Sequence, residues 1–205
     1  TVFLFPGLSS GAEKIKLKTS DGCDLAAYEN IFSTSSYVVI ELHGLGSGKE
    51  EWDRFHGYLA EAKIGWLALD LRGHGESRTC SGKEVNYGDF TVADWAGITN
   101  DAVAAYKRLL EKFHPSKIVF AGASVGANAV MIRGASSRAR KLLLLSPGLN
   151  YAGLQPLPAL ESSRQSVLVV SSESDEYASL TASVFAASCE KKKLRCSFLE
   201  AGKGH

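Results

Sequence analysis

The chain has 205 residues, 45% of them hydrophobic, which suffices for one globular unit with a substantial core and is too short for two independent ones. Its 23 Lys and Arg against 22 Asp and Glu leave a net charge of +1, which excludes the charge excess that marks binding to nucleic acid or an anionic membrane. The longest apolar runs, such as Leu142 to Leu145 and Val167 to Val170, fall far below the roughly 20 residues that span a bilayer, so no transmembrane helix is expected.

The sequence begins at Thr1 and runs directly into Val2-Phe3-Leu4-Phe5. This start has no basic segment and too short an apolar core for a signal peptide. Localisation therefore stays open between the cytoplasm and export after removal of an upstream segment. Glu13 to Lys18 alternates charged and apolar residues, Thr19-Ser20-Asp21-Gly22 is turn chemistry, and Cys23 to Tyr28 is again extended, which predicts a hairpin. Tyr37 to Leu42 is apolar at nearly every position, as in a strand covered on both faces. It leads into His43-Gly44-Leu45-Gly46-Ser47-Gly48, where so much glycine implies tightly bent backbone or close approach to a ligand.

Glu50 to Ala62 places Trp52, Phe55, Leu59 and Ala62 on one helical face. His56 falls in this helix at an expected surface position. Trp66 to Leu69 is a short buried strand ending in Asp70-Leu71-Arg72-Gly73-His74-Gly75-Glu76-Ser77, followed by a polar loop through Cys80, Gly82 and Gly88. One long helix is predicted from Val92 to Phe113, with Trp95, Ile98, Ala102, Ala105, Leu109 and Phe113 at helical spacing and His114-Pro115 ending it. Further strands are Lys117 to Ala121, Lys141 to Leu145, Val167 to Ser171 and Leu194 to Leu199. Helices follow Ser124 and cover Tyr177 to Cys189. Lys191-Lys192-Lys193 with Arg195 reads as a solvated turn between helix and strand.

Repeated alternation of buried strands and helices predicts an α/β fold: a mainly parallel sheet with helices on both faces and an antiparallel edge from the hairpin. Ligands of such sheets sit beyond the carboxyl ends of the strands, the rim where Ser47, Ser77, Ser124 and Asp175 fall. Cys23, Cys80, Cys189 and Cys196 show no metal-ligand spacing, so no metal site is expected. Cys189 and Cys196 are close enough to bridge a helix-to-strand turn, and four buried thiols fit the sequence equally well.

The chemistry concentrates at Gly122-Ala123-Ser124-Val125-Gly126, between the apolar run Ile118 to Ala121 and a small-residue helix. A serine at the apex of a strand-turn-helix is lifted out of the sheet on strained backbone. Ser124 is the candidate nucleophile. A serine hydroxyl needs an imidazole to take its proton, and the imidazole needs an oriented carboxylate. In the order serine, acid, histidine, only His205 follows Ser124, so His205 is the candidate base. His43 and His74 sit in tight glycine turns suited to satisfying local backbone. His205 at the chain end has no following helix to hold it, so a truncated chain or an absent final helix is expected. Asp175 is the candidate acid, with Glu173 as fallback and a helix N-cap as its competing role. Asp70 precedes the nucleophile and is expected to anchor the Arg72 to Ser77 turn. The N–H groups of Val125 and Leu45 are the candidate oxyanion donors.

Together these motifs resemble the α/β-hydrolase family: His43-Gly44, Asp70 through Ser77, Gly122 to Gly126, Asp175 and His205. The resemblance implies a three-layer fold around a mostly parallel eight-stranded sheet with a Ser124, Asp175, His205 triad, acting on a small-molecule ester without a cofactor. Ser146 to Tyr151 looks like the crossover of small lidless bacterial esterases of the dienelactone-hydrolase-like type, although dienelactone hydrolases proper carry cysteine where Ser124 stands. Only Ser146 to Gln165 separates two strands where many members insert a cap, so no cap domain and an open pocket for short-acyl esters are expected. A thioesterase or small-amide hydrolase would use the same groups. A non-catalytic ligand-binding protein is the alternative on this scaffold. A dinucleotide-dependent enzyme is disfavoured, since the first glycine-rich turn lacks G-x-G-x-x-G.

Overall fold

The computed structural model describes residues 11–205, so the Val2 to Phe5 stretch lies outside the described residues. Ten strands join in one sheet: β1 (Glu13–Lys18), β2 (Cys23–Asn30), β3 (Val38–Leu42), β4 (Gly65–Leu69), β5 (Thr79–Cys80), β6 (Lys83–Glu84), β7 (Ile118–Ala123), β8 (Lys141–Leu145), β9 (Ser166–Ser171) and β10 (Arg195–Glu200). Six α-helices accompany them: α1 (Asp53–Glu61), α2 (Val92–Ala96), α3 (Ile98–Leu110), α4 (Val125–Ala135), α5 (Leu157–Ser162) and α6 (Glu176–Lys192). The expected eight strands are all present. The two additional ones, β5 and β6, are two-residue segments of the loop after β4, which folds back so that Cys23 pairs with Cys80.

Strands β4, β3, β7, β8, β9 and β10 run parallel in that spatial order, and the antiparallel β1-β2 hairpin attaches along β4. The chain winds outward from β3 in both directions. The crevice beyond the carboxyl ends of β3 and β7 is therefore the topological switch point, where open α/β sheets bind ligands. Alternate residues divide the core. Val38, Ile40 and Leu42 of β3 join Ile98, Leu109, Val130 and Phe185 on one face, while Val39 joins Trp52, Leu59 and Trp66 under α1 on the other.

Two sequence expectations are corrected. His56 is buried rather than superficial: its ring stacks on Trp66 with centroids 3.5 Å apart, and its Nε2 lies 2.7 Å from Oε2 of buried Glu41. Burial holds the Glu41 acid well above the usual carboxylate range and draws His56 down to about 4. The long helix from Val92 to Phe113 is instead two helices, α2 and α3. The bonds from Gly97 N–H to Asp94 and from Asn100 N–H to Gly97 span three residues and tighten the chain where Arg72 crosses. A Cβ on Gly97 would lie within 2.4 Å of the Arg72 guanidinium.

Arg72 joins three elements. It donates to both oxygens of Asp21 in the hairpin turn at 2.7 and 3.0 Å, and its Nε donates to fully buried Asp101 on α3 at 2.8 Å. Burial opposes its charge, and the two carboxylates more than offset that.

All four cysteines are paired, Cys23 with Cys80 and Cys189 with Cys196. The first bridge ties β2 to β5 across 57 residues of sequence, for which loop-closure entropy gives about 4 kcal/mol. Reduction of both bridges is expected to lower the thermal midpoint measurably, with Cys23→Ala/Cys80→Ala accounting for the larger share of the loss and Cys189→Ala/Cys196→Ala for the smaller. Equal losses from both pairs would refute the entropic ordering.

Candidate active site

The turn after β7 explains why its glycines are glycine. A Cβ on Gly122 would meet Gly126 O at 2.4 Å, and one on Gly126 would meet the carbonyl oxygens of Leu42 and His43 at 2.5 Å. Strand, turn and helix therefore pack backbone against backbone. Ser124, between them, has φ +52° and ψ −119°, a strained conformation for a residue with a side chain. The strain lifts its hydroxyl to the rim.

The structure brings Ser124, His205 and Asp175 together from three separate segments. His205 Nε2 lies 2.7 Å from Ser124 Oγ, and His205 Nδ1 lies 2.6 Å from Asp175 Oδ2. The two oxygens of Asp175 face different partners. Oδ1 accepts the Ala178 N–H at 3.1 Å and caps α6, while Oδ2 faces the imidazole. Burial pushes the Asp175 acid up, but the Ala178 N–H, His205 and Ser146 outweigh it and hold the group below the usual carboxylate range. It stays ionised at neutral pH. Glu173 is exposed and forms no hydrogen bond with the imidazole, whose carboxylate partner is Asp175.

Serines missed in the sequence tie down the terminal loop. Ser174 Oγ accepts the Gly204 N–H at 2.7 Å, Ser172 Oγ donates to Gly202 O at 3.3 Å, and Ala201 N–H donates to Ser171 O at 3.0 Å. Short polar residues beside a glycine-rich loop were the available signal. His43 and His74 serve local backbone as expected. His43 accepts the Leu71 N–H and His74 faces Arg72 O, while burial lowers the basicity of both, His74 to about 4. Asp70 accepts from the N–H groups of Lys49 and Glu76 and binds Lys49 Nζ at 2.9 Å, locking the loops after β3 and β4 together. Ser77 is buried and donates to Asp70 O.

A cavity of about 620 Å³ opens over Ser124, walled by Leu45, Glu51, Trp95, Tyr151 and His205 among others. The Val125 N–H, at the first position of α4, has no partner within the helix. The Leu45 N–H meets no acceptor among the described residues, whereas the neighbouring Gly44 N–H is held by Glu51 at 3.1 Å. The segment from Ser146 to Gln165 carries only the six-residue α5 and no cap. Buried Asn128 clamps it by bonding Gly148 N–H, Gly148 O and Leu154 O, and Tyr177 Oη accepts the Asn150 N–H. Tyr151, within this segment, packs edge-on against His205 with ring centroids 6.0 Å apart.

This arrangement can move a proton from a hydroxyl to an imidazole as the oxygen attacks a carbonyl, and Leu45 and Val125 line the same cavity. Among the described residues no cluster of His, Cys, Asp and Glu is arranged to hold a metal, and no helix is long and apolar enough to cross a membrane.

Known proteins agree with the fold. An esterase of Pyrococcus furiosus superposes with a TM-score of 0.74 at 19% identity, covering 95% of this chain and 84% of its own. Est1E of Butyrivibrio proteoclasticus, solved with ferulic acid bound, superposes with a TM-score of 0.70 at 22% identity, covering 92% and 90%. Identities this low establish shared architecture. No curated protein matches the chain by sequence. The model of the alpha/beta hydrolase family, however, matches residues 39–202, from the central strand to the loop before His205. The chain therefore belongs to the α/β-hydrolase family, and it is a hydrolase.

Proposed function

We infer that the protein, with residues 1–205 acting as one domain, is a cofactor-independent serine hydrolase that cleaves small or short-acyl carboxylic esters. Ser124 attacks the carbonyl carbon while His205 accepts its proton. The Val125 and Leu45 N–H groups hold the oxyanion, and collapse of the tetrahedral intermediate releases the alcohol with the proton from His205. Water, deprotonated by the same imidazole, then hydrolyses the acyl-enzyme. Asp175 orients His205 and stabilises its cationic form.

The observation that carries this reading is the unbroken hydrogen-bonded line Asp175, His205, Ser124, at 2.6 and 2.7 Å, on a strained turn beneath a cavity. A thioester or small amide could pass through the same groups, so ester specificity is the finer part of the inference. The uncapped cavity supports the short-acyl preference. Hydrolysis of p-nitrophenyl esters is expected to fall from acetate and butyrate toward octanoate and to vanish in Ser124→Ala. A rate that rises with chain length would overturn the short-acyl assignment, and turnover retained in Ser124→Ala would overturn the nucleophile.

A further inference from the structure

One carboxylate in the cavity has no part in the proposed chemistry. Glu51 lines the same space as Ser124, and both its oxygens face the Gly44 N–H, at 3.1 and 3.3 Å. Its Oε2 and the Ser124 Cβ lie 3.6 and 3.4 Å from the point where a Gly44 side chain would begin, so acid and nucleophile flank one glycine. Among the described residues Glu51 pairs with no Lys, Arg or His. The nearest lysine in sequence, Lys49, is turned inward and pairs with Asp70, Glu50 and Glu76 instead. No lysine or arginine lines the cavity.

A single N–H leaves most of the lone pairs of a carboxylate unused. Two large aromatic side chains, Trp95 and Tyr151, wall the same cavity. Aromatic faces attract cations and the carboxylate adds a full negative charge, while the wall holds no lysine or arginine to offset it.

We propose that Glu51, with Trp95 and Tyr151, makes this cavity select esters that carry an ammonium group near the scissile bond and reject those that carry a carboxylate. The proposal rests on the serine-hydrolase reading and adds the substrate's charge to it. Glu51 remains open to solvent, so the preference is expected to be about ten-fold and to shrink as salt is added.

The test uses isosteric pairs in which carbon replaces the ammonium nitrogen. One arm compares choline butyrate with its all-carbon isostere and places the charge on the alcohol. The other compares the p-nitrophenyl ester of trimethylammonio-butyrate with its all-carbon isostere and places the charge on the acyl group. The ratio of kcat/KM for cation over isostere is measured in wild type and Glu51→Gln, which keeps an acceptor for the Gly44 N–H and removes the charge. Intrinsic ester reactivity cancels between the two proteins. A ratio about ten-fold higher in wild type, in either arm, is the expected result and identifies the side that bears the cation. Equal ratios in both arms, with the uncharged esters still hydrolysed, overturn the proposal and leave the hydrolase reading intact.

Calorimetric titration with butyltrimethylammonium separates the two claims independently of turnover. Binding to wild type that weakens about ten-fold in Glu51→Gln, in a protein that cleaves no ester, would retain the cation site and remove the ester-hydrolase reading. Absence of binding together with equal ratios would remove the cation site.

Discussion

Asp175→Asn is expected to fold as the native protein does and to hydrolyse esters roughly ten-thousand-fold more slowly. The reason lies in the division of labour between its two oxygens. An asparagine can keep Oδ1 as acceptor for the Ala178 N–H, so the start of α6 remains capped. Its amide nitrogen then faces His205 Nδ1, where it donates and forces the imidazole proton onto Nε2. An Nε2–H cannot accept the Ser124 proton. Asp175→Ala should lose comparable activity and additionally about 1 kcal/mol of stability through the missing cap. Urea unfolding and kcat on p-nitrophenyl butyrate, measured on both variants, separate the two losses. If Asp175→Asn kept a tenth of the native rate, the proposed orienting role would be lost.

The second large effect is on stability. Arg72→Met should cost about 3 to 5 kcal/mol, because it leaves the fully buried Asp101 carboxylate without its cation. Asp101 also accepts the Arg72 backbone N–H at 2.9 Å, a bond the variant keeps, so the loss isolates the guanidinium. Asp101 can escape the penalty by taking up a proton. The deficit relative to wild type should therefore be smaller near pH 5 than near pH 8, since the variant's folded state binds a proton that its unfolded state has already released. Chemical unfolding at the two pH values measures it. A deficit below about 1 kcal/mol, or one independent of pH, would mean that Arg72 contributes packing rather than charge.

How far the sequence reached depended on the range of the interaction. Strand and helix alternation is local, and the strands from Glu13 to Leu199 fall within a residue or two of their expected positions. The spacing Gly122, Ser124, Gly126 reports a backbone contact that excludes any Cβ, so the turn was legible too. The proximity of Ser124, Asp175 and His205, as distinct from their proposed roles, followed from chain order, because one histidine follows the serine. What escaped depends on distant partners. His56 reads as a surface helix residue until β3 and β4 place Glu41 and Trp66 beneath it. The break at Gly97 lies where Arg72, 25 positions earlier, packs against the chain, and the apolar periodicity continues through it. Glu51 belongs to an amphipathic pattern and gains meaning only when its carboxylate turns toward Gly44.

Activation of Ser124 as a nucleophile is tested most directly with a fluorophosphonate, read by intact mass followed by peptide mapping. One phosphonyl adduct per chain is expected, located on Ser124, formed in wild type and strongly slowed in His205→Gln. A folded wild-type protein that stays unlabelled, or carries its adduct on another residue, would contradict it.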